Sequence, residues 1–244
     1  MPKSLVAHTR FFALIVLLLT IGVNVKAQQQ PPATATQNQS TTTTQTPNAQ
    51  PALNEWRDDF DGDRLDETKW ETYTFEGGGG GKIEVKDKLL RMRGAGGSRS
   101  GVRSKQTFRA DRFLVEATLA KVGMRNPQPG EEAFPAGFAV LTVLFDGNAT
   151  NRLEWILRSD GVFEAWQNVD SRMERVDNGK LATKEKTPTL GIGRRGEQVF
   201  FMLNGQKGLE VTSRGLSSNF KVMLYGFGSS ENNWDSIKVI TLRQ

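Results

Sequence analysis

Residues 138–166 read FAVLTVLFDGNATNRLEWILRSDGVFEAW, and this stretch decides the fold class. Phe138 to Phe145 is apolar nearly throughout, which predicts a strand buried on both faces, stopped by Asp146-Gly147. Leu153–Leu157 and Val162–Trp166 then flank Asp160-Gly161. Glycine adopts positive φ cheaply and aspartate tolerates it, so that dipeptide predicts a hairpin. The same grammar extends in both directions. Ile83–Val85 and Leu89–Met92 flank Lys86-Asp87-Lys88, Phe113–Leu119 alternates, Val199–Leu203 ends at Asn204-Gly205, and Lys221–Tyr225 and Ser236–Leu242 finish the chain. No stretch keeps a period of 3.6. Roughly eleven or more strands without intervening helices predict an all-β domain over residues 54–244, a sandwich, jelly roll or barrel.

What precedes that domain is of another kind. Lys3 and Arg10 border the apolar run Phe11–Val23, which is too short to span a bilayer comfortably, since that takes roughly 20 residues. Val25-Lys26-Ala27 supplies small residues at the cleavage positions, so residues 1–27 are expected to be a signal peptide. The protein is then exported: secreted, periplasmic or on the cell surface, with no membrane insertion after cleavage. Residues 28–53 carry no charge, and Gln, Thr and Pro supply 18 of them. Such a segment has too little apolar surface to offset the entropy of ordering, so a disordered linker is expected.

Composition removes several chemistries. The chain has no cysteine, and its one histidine, His8, lies in the leader. Disulfides, thiolate sites and imidazole bases are therefore absent from the processed chain. The formal charge of +5 loses Lys3, Arg10 and Lys26 with the leader, leaving +2, too little to point to nucleic acid.

Asp58-Asp59-Phe60-Asp61-Gly62-Asp63, with Leu65-Asp66 and Lys69-Trp70, resembles the opening strand of concanavalin A-like lectin/glucanase domains. Trp234-Asp235-Ser236-Ile237-Lys238-Val239 is similar to their closing strand, and Thr189–Asn204-Gly205 to a hairpin common among them. The resemblance implies a two-sheet antiparallel jelly-roll sandwich, with first and last strands adjacent and glycans bound on the concave face. Many family 16-like domains also hold a structural calcium through a carboxylate at the place of Asp235 plus backbone carbonyls, so the resemblance implies one calcium with Asp235 as ligand.

Family 16 glycoside hydrolases carry Glu-x-Asp-x-Glu or a one-residue variant on one strand, which sets the carboxylates on one face. That motif is missing here. Glu154 and Glu164 are the nearest acids. A two-residue turn at Asp160-Gly161 sets them on opposite faces, whereas a bulged turn shifts the register by one and sets them on one face. The two-residue turn also makes Trp155 and Trp166 cross-strand neighbours, the candidate platforms for a sugar ring. Gly77–Gly81-Lys82 lacks the first glycine and the hydroxyl of a phosphate loop and is expected to be a surface loop. The acids between Asp58 and Glu67 do not match an EF-hand and are expected to cap local turns. Arg91, Arg93, Arg99, Arg103 and Arg109 are expected to be scattered solvated charges, or at most a site for an acidic glycan. The sequence thus points to a non-catalytic carbohydrate-binding module with a polysaccharide or glycan partner. The alternatives are a divergent glycoside hydrolase and a structural or protein-binding extracellular domain.

Overall fold

The computed structural model describes residues 53–76, 81–94, 99–127, 129, 134–177, 179 and 181–242. The signal peptide, all but the last residue of the linker, and Gly77–Gly80 lie outside the described residues. Among the described residues every regular element is a strand, and the strands form two antiparallel sheets.

The first sheet runs in the order β14 (Gln206–Thr212), β13 (Gln198–Leu203), β12 (Thr189–Arg195), β7 (Arg112–Met124), β16 (Ser230–Leu242), β4 (Leu89–Arg93) and β3 (Lys82–Lys86). The opening strand β1 (Leu53–Asp58) pairs with the closing strand β16, as expected, along Ile237–Leu242. The second sheet runs β11 (Arg172–Arg175), β10 (Phe163–Val169), β9 (Arg152–Arg158), β8 (Phe138–Phe145), β15 (Asn219–Gly226), β5 (Arg99–Ser104) and β2 (Trp70–Glu76), with β6 (Phe108–Arg109) also on β15. The jelly-roll sandwich read from the sequence is the fold observed.

Alternation sorts side chains between the sheets and the outside. Ala139, Leu141, Val143 and Phe145 of β8 enter the inter-sheet core with Leu153, Trp155 and Leu157 of β9. Phe138, Val140 and Leu144 of the same strand turn outward into a second apolar cluster, so β8 is buried on both faces as its composition predicts. At the start of the domain, Asp58 accepts the Phe60 N–H (3.0 Å) and the Trp70 indole N–H (2.7 Å). The carboxylate thereby fixes the turn after β1 and anchors Trp70 in the core. Asp66 caps the next turn through Thr68. These acids do local structural work, as the sequence reading expects.

The β9–β10 hairpin settles the register left open by the sequence. Leu157 pairs with Phe163 and Trp155 with Ala165. The Gly161 N–H reaches the Arg158 carbonyl at 2.9 Å, and the Arg158 N–H reaches the Val162 carbonyl at 2.9 Å. Gly161 alone in this loop takes a positive φ, 85°. The connection is therefore a three-residue type I turn with a bulge, not a two-residue turn needing positive φ at both positions.

Candidate functional site

The bulged register places Glu154 and Glu164 on one face, the outer face of the second sheet, because each now stands opposite an outward residue. Glu154 pairs with Trp166 and Glu164 with Ile156. The two acids are diagonal neighbours across the strand pair, roughly 7–8 Å apart. The same register separates the tryptophans. Trp155 is a correction to the sequence expectation: it is 1% exposed in the inter-sheet core, stacked on Phe163 at 4.8 Å, with its indole N–H donating to the Met202 carbonyl at 2.8 Å. A ring so enclosed offers no platform. Trp166 stands half-buried on the outer face, and its N–H donates to Glu164 at 3.1 Å.

Both carboxylates are held by their surroundings. Glu154 is 1% exposed and receives the Arg152 guanidinium at 2.7 Å and the Tyr225 hydroxyl at 2.8 Å on the same oxygen. Burial, followed by the charge of Glu154, pushes the Tyr225 phenol well above its usual range, so it stays protonated and donates. The second oxygen of Glu154, and the hydroxyl of its cross-strand partner Thr142, have no hydrogen-bond partner. Glu164 lies 3.4 Å from Arg158 and 3.9 Å from Arg175.

Between these acids and the far edge of the sheet, Ala136, Phe138, Val140, Ile156, Met223 and Tyr225 fill the face. Tyr73, Phe134, Trp166 and Phe227 pack around them, half-buried. At the β2 edge Arg103 lies over the Tyr73 ring at 3.8 Å and binds Glu71 at 2.7 Å. That guanidinium holds the Glu71 carboxyl below its ordinary range. Arg99 stands 5.4 Å from the Phe227 ring. The five arginines read as one region divide: Arg99 and Arg103 reach this face, Arg91 and Arg93 sit on β4 of the other sheet, and Arg109 is exposed on β6. Sequence reasoning passed over Tyr225 and Tyr73, since only the strand register shows that their rings share the face with Glu154 and Trp166.

No protein-family model matches the chain, and no curated protein matches its sequence. Solved structures do resemble it. The endo-β-1,3-glucanase of Pyrococcus furiosus superposes with a TM-score of 0.57 at 12% identity, covering 78% of this chain and 94% of its own. The β-glucanase of Bacillus licheniformis gives 0.56 at 11%, covering 78% and 98%. The carbohydrate recognition domain of Emp47p gives 0.53 at 12%, covering 78% and 95%. The fold is concanavalin A-like. At these identities the likeness concerns the fold alone, and it unites glucanases with a recognition domain.

Asp235 lies exposed where β16 bulges, outside the ladder between Trp234 and Ser236. Its carboxylate adds a minor electrostatic influence on Arg57, which is itself bound to Asp59 at 2.6 Å. Among the described residues no three His, Cys, Asp or Glu side chains converge to hold a metal ion. Asp235 thus supplies a single carboxylate, and the other oxygens of a calcium site, six to eight in all, would have to come from backbone carbonyls.

Proposed function

We propose that this domain is a non-catalytic carbohydrate-binding module, exported and processed after Ala27, that holds a polysaccharide along the outer face of the second sheet. The observation that carries the reading is Trp166: a half-buried indole on that face, oriented by its bond to Glu164. An amphipathic ring of this kind covers the C–H face of a pyranose while its polar edge stays hydrogen-bonded. Tyr73 lies five strands away at the other rim, roughly 24 Å by strand spacing, a span suited to several sugar units in a row. The similar structures, glucanases and a carbohydrate recognition domain, support a carbohydrate ligand. The engagement of Glu154 and Glu164 by arginines supports binding rather than hydrolysis.

The test is affinity electrophoresis of the protein through gels containing soluble glucans or mucin glycans. Retention is expected, and Trp166→Ala should weaken it about tenfold, equivalent to about 1.4 kcal/mol, while lowering the melting temperature by only about 2–4 °C. Retention that is indifferent to Trp166→Ala contradicts the assignment. Reducing sugar released by the wild type and lost in Glu154→Gln or Glu164→Gln supports a divergent glycoside hydrolase instead. A protein-binding role is the second reading, favoured by the apolar filling of the face, and an absence of retention on every glycan turns the choice to it. A calcium ion at Asp235 stays a proposal resting on the resemblance. It requires the unfolding midpoint to fall when a chelator is added, and an unchanged midpoint removes it.

A further inference from the structure

We propose that the folded domain presents Asn148, in the connection between β8 and β9, as the acceptor for an N-linked oligosaccharide. The donor is an oligosaccharide carried on a polyprenyl diphosphate. Encounter with such a donor rests on the export proposed above; presentation of the acceptor does not.

Asn148-Ala149-Thr150 is an Asn-x-Thr triplet without proline at its centre, the pattern that N-glycosylation reads. No other asparagine in residues 54–244 has serine or threonine two places later. The fold puts the triplet on the surface. Phe145 ends β8 and Arg152 begins β9, and both Asn148 and Thr150 are exposed between them. Backbone groups hold the loop in shape. The Asn148 N–H donates to the Phe145 carbonyl at 3.0 Å and the Phe145 N–H to the Asn151 carbonyl at 2.8 Å. The Arg152 guanidinium donates to the Ala149 carbonyl, and the Ser217 hydroxyl to Asp146 at 2.8 Å. The acceptor side chains are spared this work. The Asn148 carboxamide oxygen accepts the Thr150 N–H at 3.0 Å, an Asx turn. Its NH2 group and the Thr150 hydroxyl have no hydrogen-bond partner among the described residues. Aspartate would serve the Asx turn equally well. A transferable nitrogen with a hydroxyl two residues later requires asparagine and threonine.

The step is a substitution at an anomeric carbon. Asn148 Nδ2 forms a bond to C1 of the donor's reducing-end sugar, the bond from C1 to the diphosphate oxygen breaks, and the diphosphate leaves with the electron pair. The amide gives up one proton to a base of the transferase, and nothing is oxidised or reduced. The product is still an amide, so its oxygen keeps the bond from the Thr150 N–H. The added sugar is bulky and solubilising, which suits an exposed loop. The neighbouring Gly147 carbonyl accepts from Arg103 at 3.4 Å, and a Cβ on Gly147 would lie 3.9 Å from Lys221 Cδ. Arg103 and Lys221 both bind Glu71, at 2.7 and 3.3 Å. The acceptor therefore stands next to this charged cluster of the second sheet, with its side chain in solvent.

The test uses the purified, folded full chain carrying Asn38→Gln, which removes the other Asn-x-Ser/Thr triplet, Asn38-Gln39-Ser40. The chain is incubated with a purified oligosaccharyltransferase and a polyprenyl-diphosphate oligosaccharide, and its intact mass is recorded. A gain of one oligosaccharide is expected, removed again by peptide-N-glycosidase. Asn148→Gln and Thr150→Ala should each abolish the gain, whereas Thr150→Ser should keep it. Thermal unfolding of each variant separates a lost acceptor from a lost fold, and near-parental midpoints are expected at these exposed positions. The transferase is supplied to the purified chain, so the result does not depend on export, and glycan retention through Trp166 is read separately. A gain that survives Asn148→Gln overturns the proposal. So does a folded chain that gains no mass, and acceptance by a peptide of residues 143–153 alone would place the cause of that failure in the fold.

Discussion

Trp155 and Trp166 belong to one hairpin and face opposite sides of its sheet, and a single residue of register separates the two outcomes. The sequence shows both strands and the turn, but the Asp-Gly dipeptide is compatible with two loop lengths. What decided between them is Asp160, which stays out of the left-handed region while Gly161 enters it. Trp155→Ala should therefore destabilise the fold by about 3–5 kcal/mol, as for a buried aromatic, read from denaturant unfolding. Trp166→Ala should cost about 1 kcal/mol, the ordinary effect of a partly exposed position. Tyr225 gives a second expectation. Its phenol titrates higher in the fold than in the unfolded chain because of burial and the Glu154 charge. The folded state thus holds the proton more tightly. Stability from this group is fully present below about pH 10 and is lost as pH rises from there through the folded pKa, at up to about 1.4 kcal/mol per pH unit. Urea midpoints measured across that range should fall more steeply for the wild type than for Tyr225→Phe. Equal slopes would show that the phenol ionises alike in both states.

At the level of elements, the hairpins separate what sequence shows from what it hides. Asn204-Gly205 joins Leu203 to Gln206 with φ of 51° and 75°, the two-residue turn its composition predicts. Asp87-Lys88 and Asp170-Ser171 make turns of the same kind, with φ of 53° and 59° and of 51° and 67°, although neither contains glycine. The first was visible as a hairpin only from its flanking strands, and the second is invisible to a search for turn dipeptides. There the pairing of the strands overrides the local preference and holds non-glycine residues in a left-handed conformation that costs roughly 1–2 kcal/mol each. Lys88→Gly should relieve that cost, offset in part by glycine's greater chain entropy, and stabilise the domain by about 0.5–1 kcal/mol in thermal unfolding. Gly161→Ala should act in the opposite direction. Its φ of 85° disfavours a side chain, and the new Cβ would lie 2.5 Å from the Thr183 carbonyl, so a loss of about 1–3 kcal/mol is expected. If alanine is tolerated at 161, the three-residue loop is not the one formed. The candidate site was legible to the same extent as these loops. Its strands were readable, but Tyr225, Tyr73 and Thr142 join Glu154 and Trp166 only through pairings between strands far apart in sequence, which no local pattern encodes.

For the whole molecule, the closing strand organises both ends of the domain. β16 pairs with β7 along one side, and on its other side shares its length between β4, at Glu231–Trp234, and β1, at Ile237–Leu242. The bulge carrying Asp235 falls between those two partners, where the ladder passes from one to the other. This closure was foreshadowed by the paired resemblance around Phe60 and Ile237–Val239. The division of β16 was not, because two short strands sharing one long one leave no trace in periodicity. The geometry has a consequence for connectivity. Leu53 pairs with Leu242, so the start of β1 and the end of β16 lie about 4.5–5.5 Å apart across the ladder. A short glycine-rich link between them should add little strain. Opening the chain at Asp170-Ser171, an exposed turn between β10 and β11, breaks no core contact and removes one strained connection. Such a circular permutant of the folded domain should keep its far-ultraviolet circular dichroism and unfold within a few degrees of the original. The β1–β16 pairing makes this prediction sharp. If β1 were an accessory strand, deleting Leu53–Asp58 would be as harmless as permuting the chain. Because Asp58 anchors the Trp70 indole and Trp56 packs on Trp70 at 5.3 Å, the deletion should instead destabilise the domain by several kcal/mol, about 3–5. A permutant that unfolds as readily as the deletion would show that chain order, and not the pairing of the two ends, holds the sandwich closed.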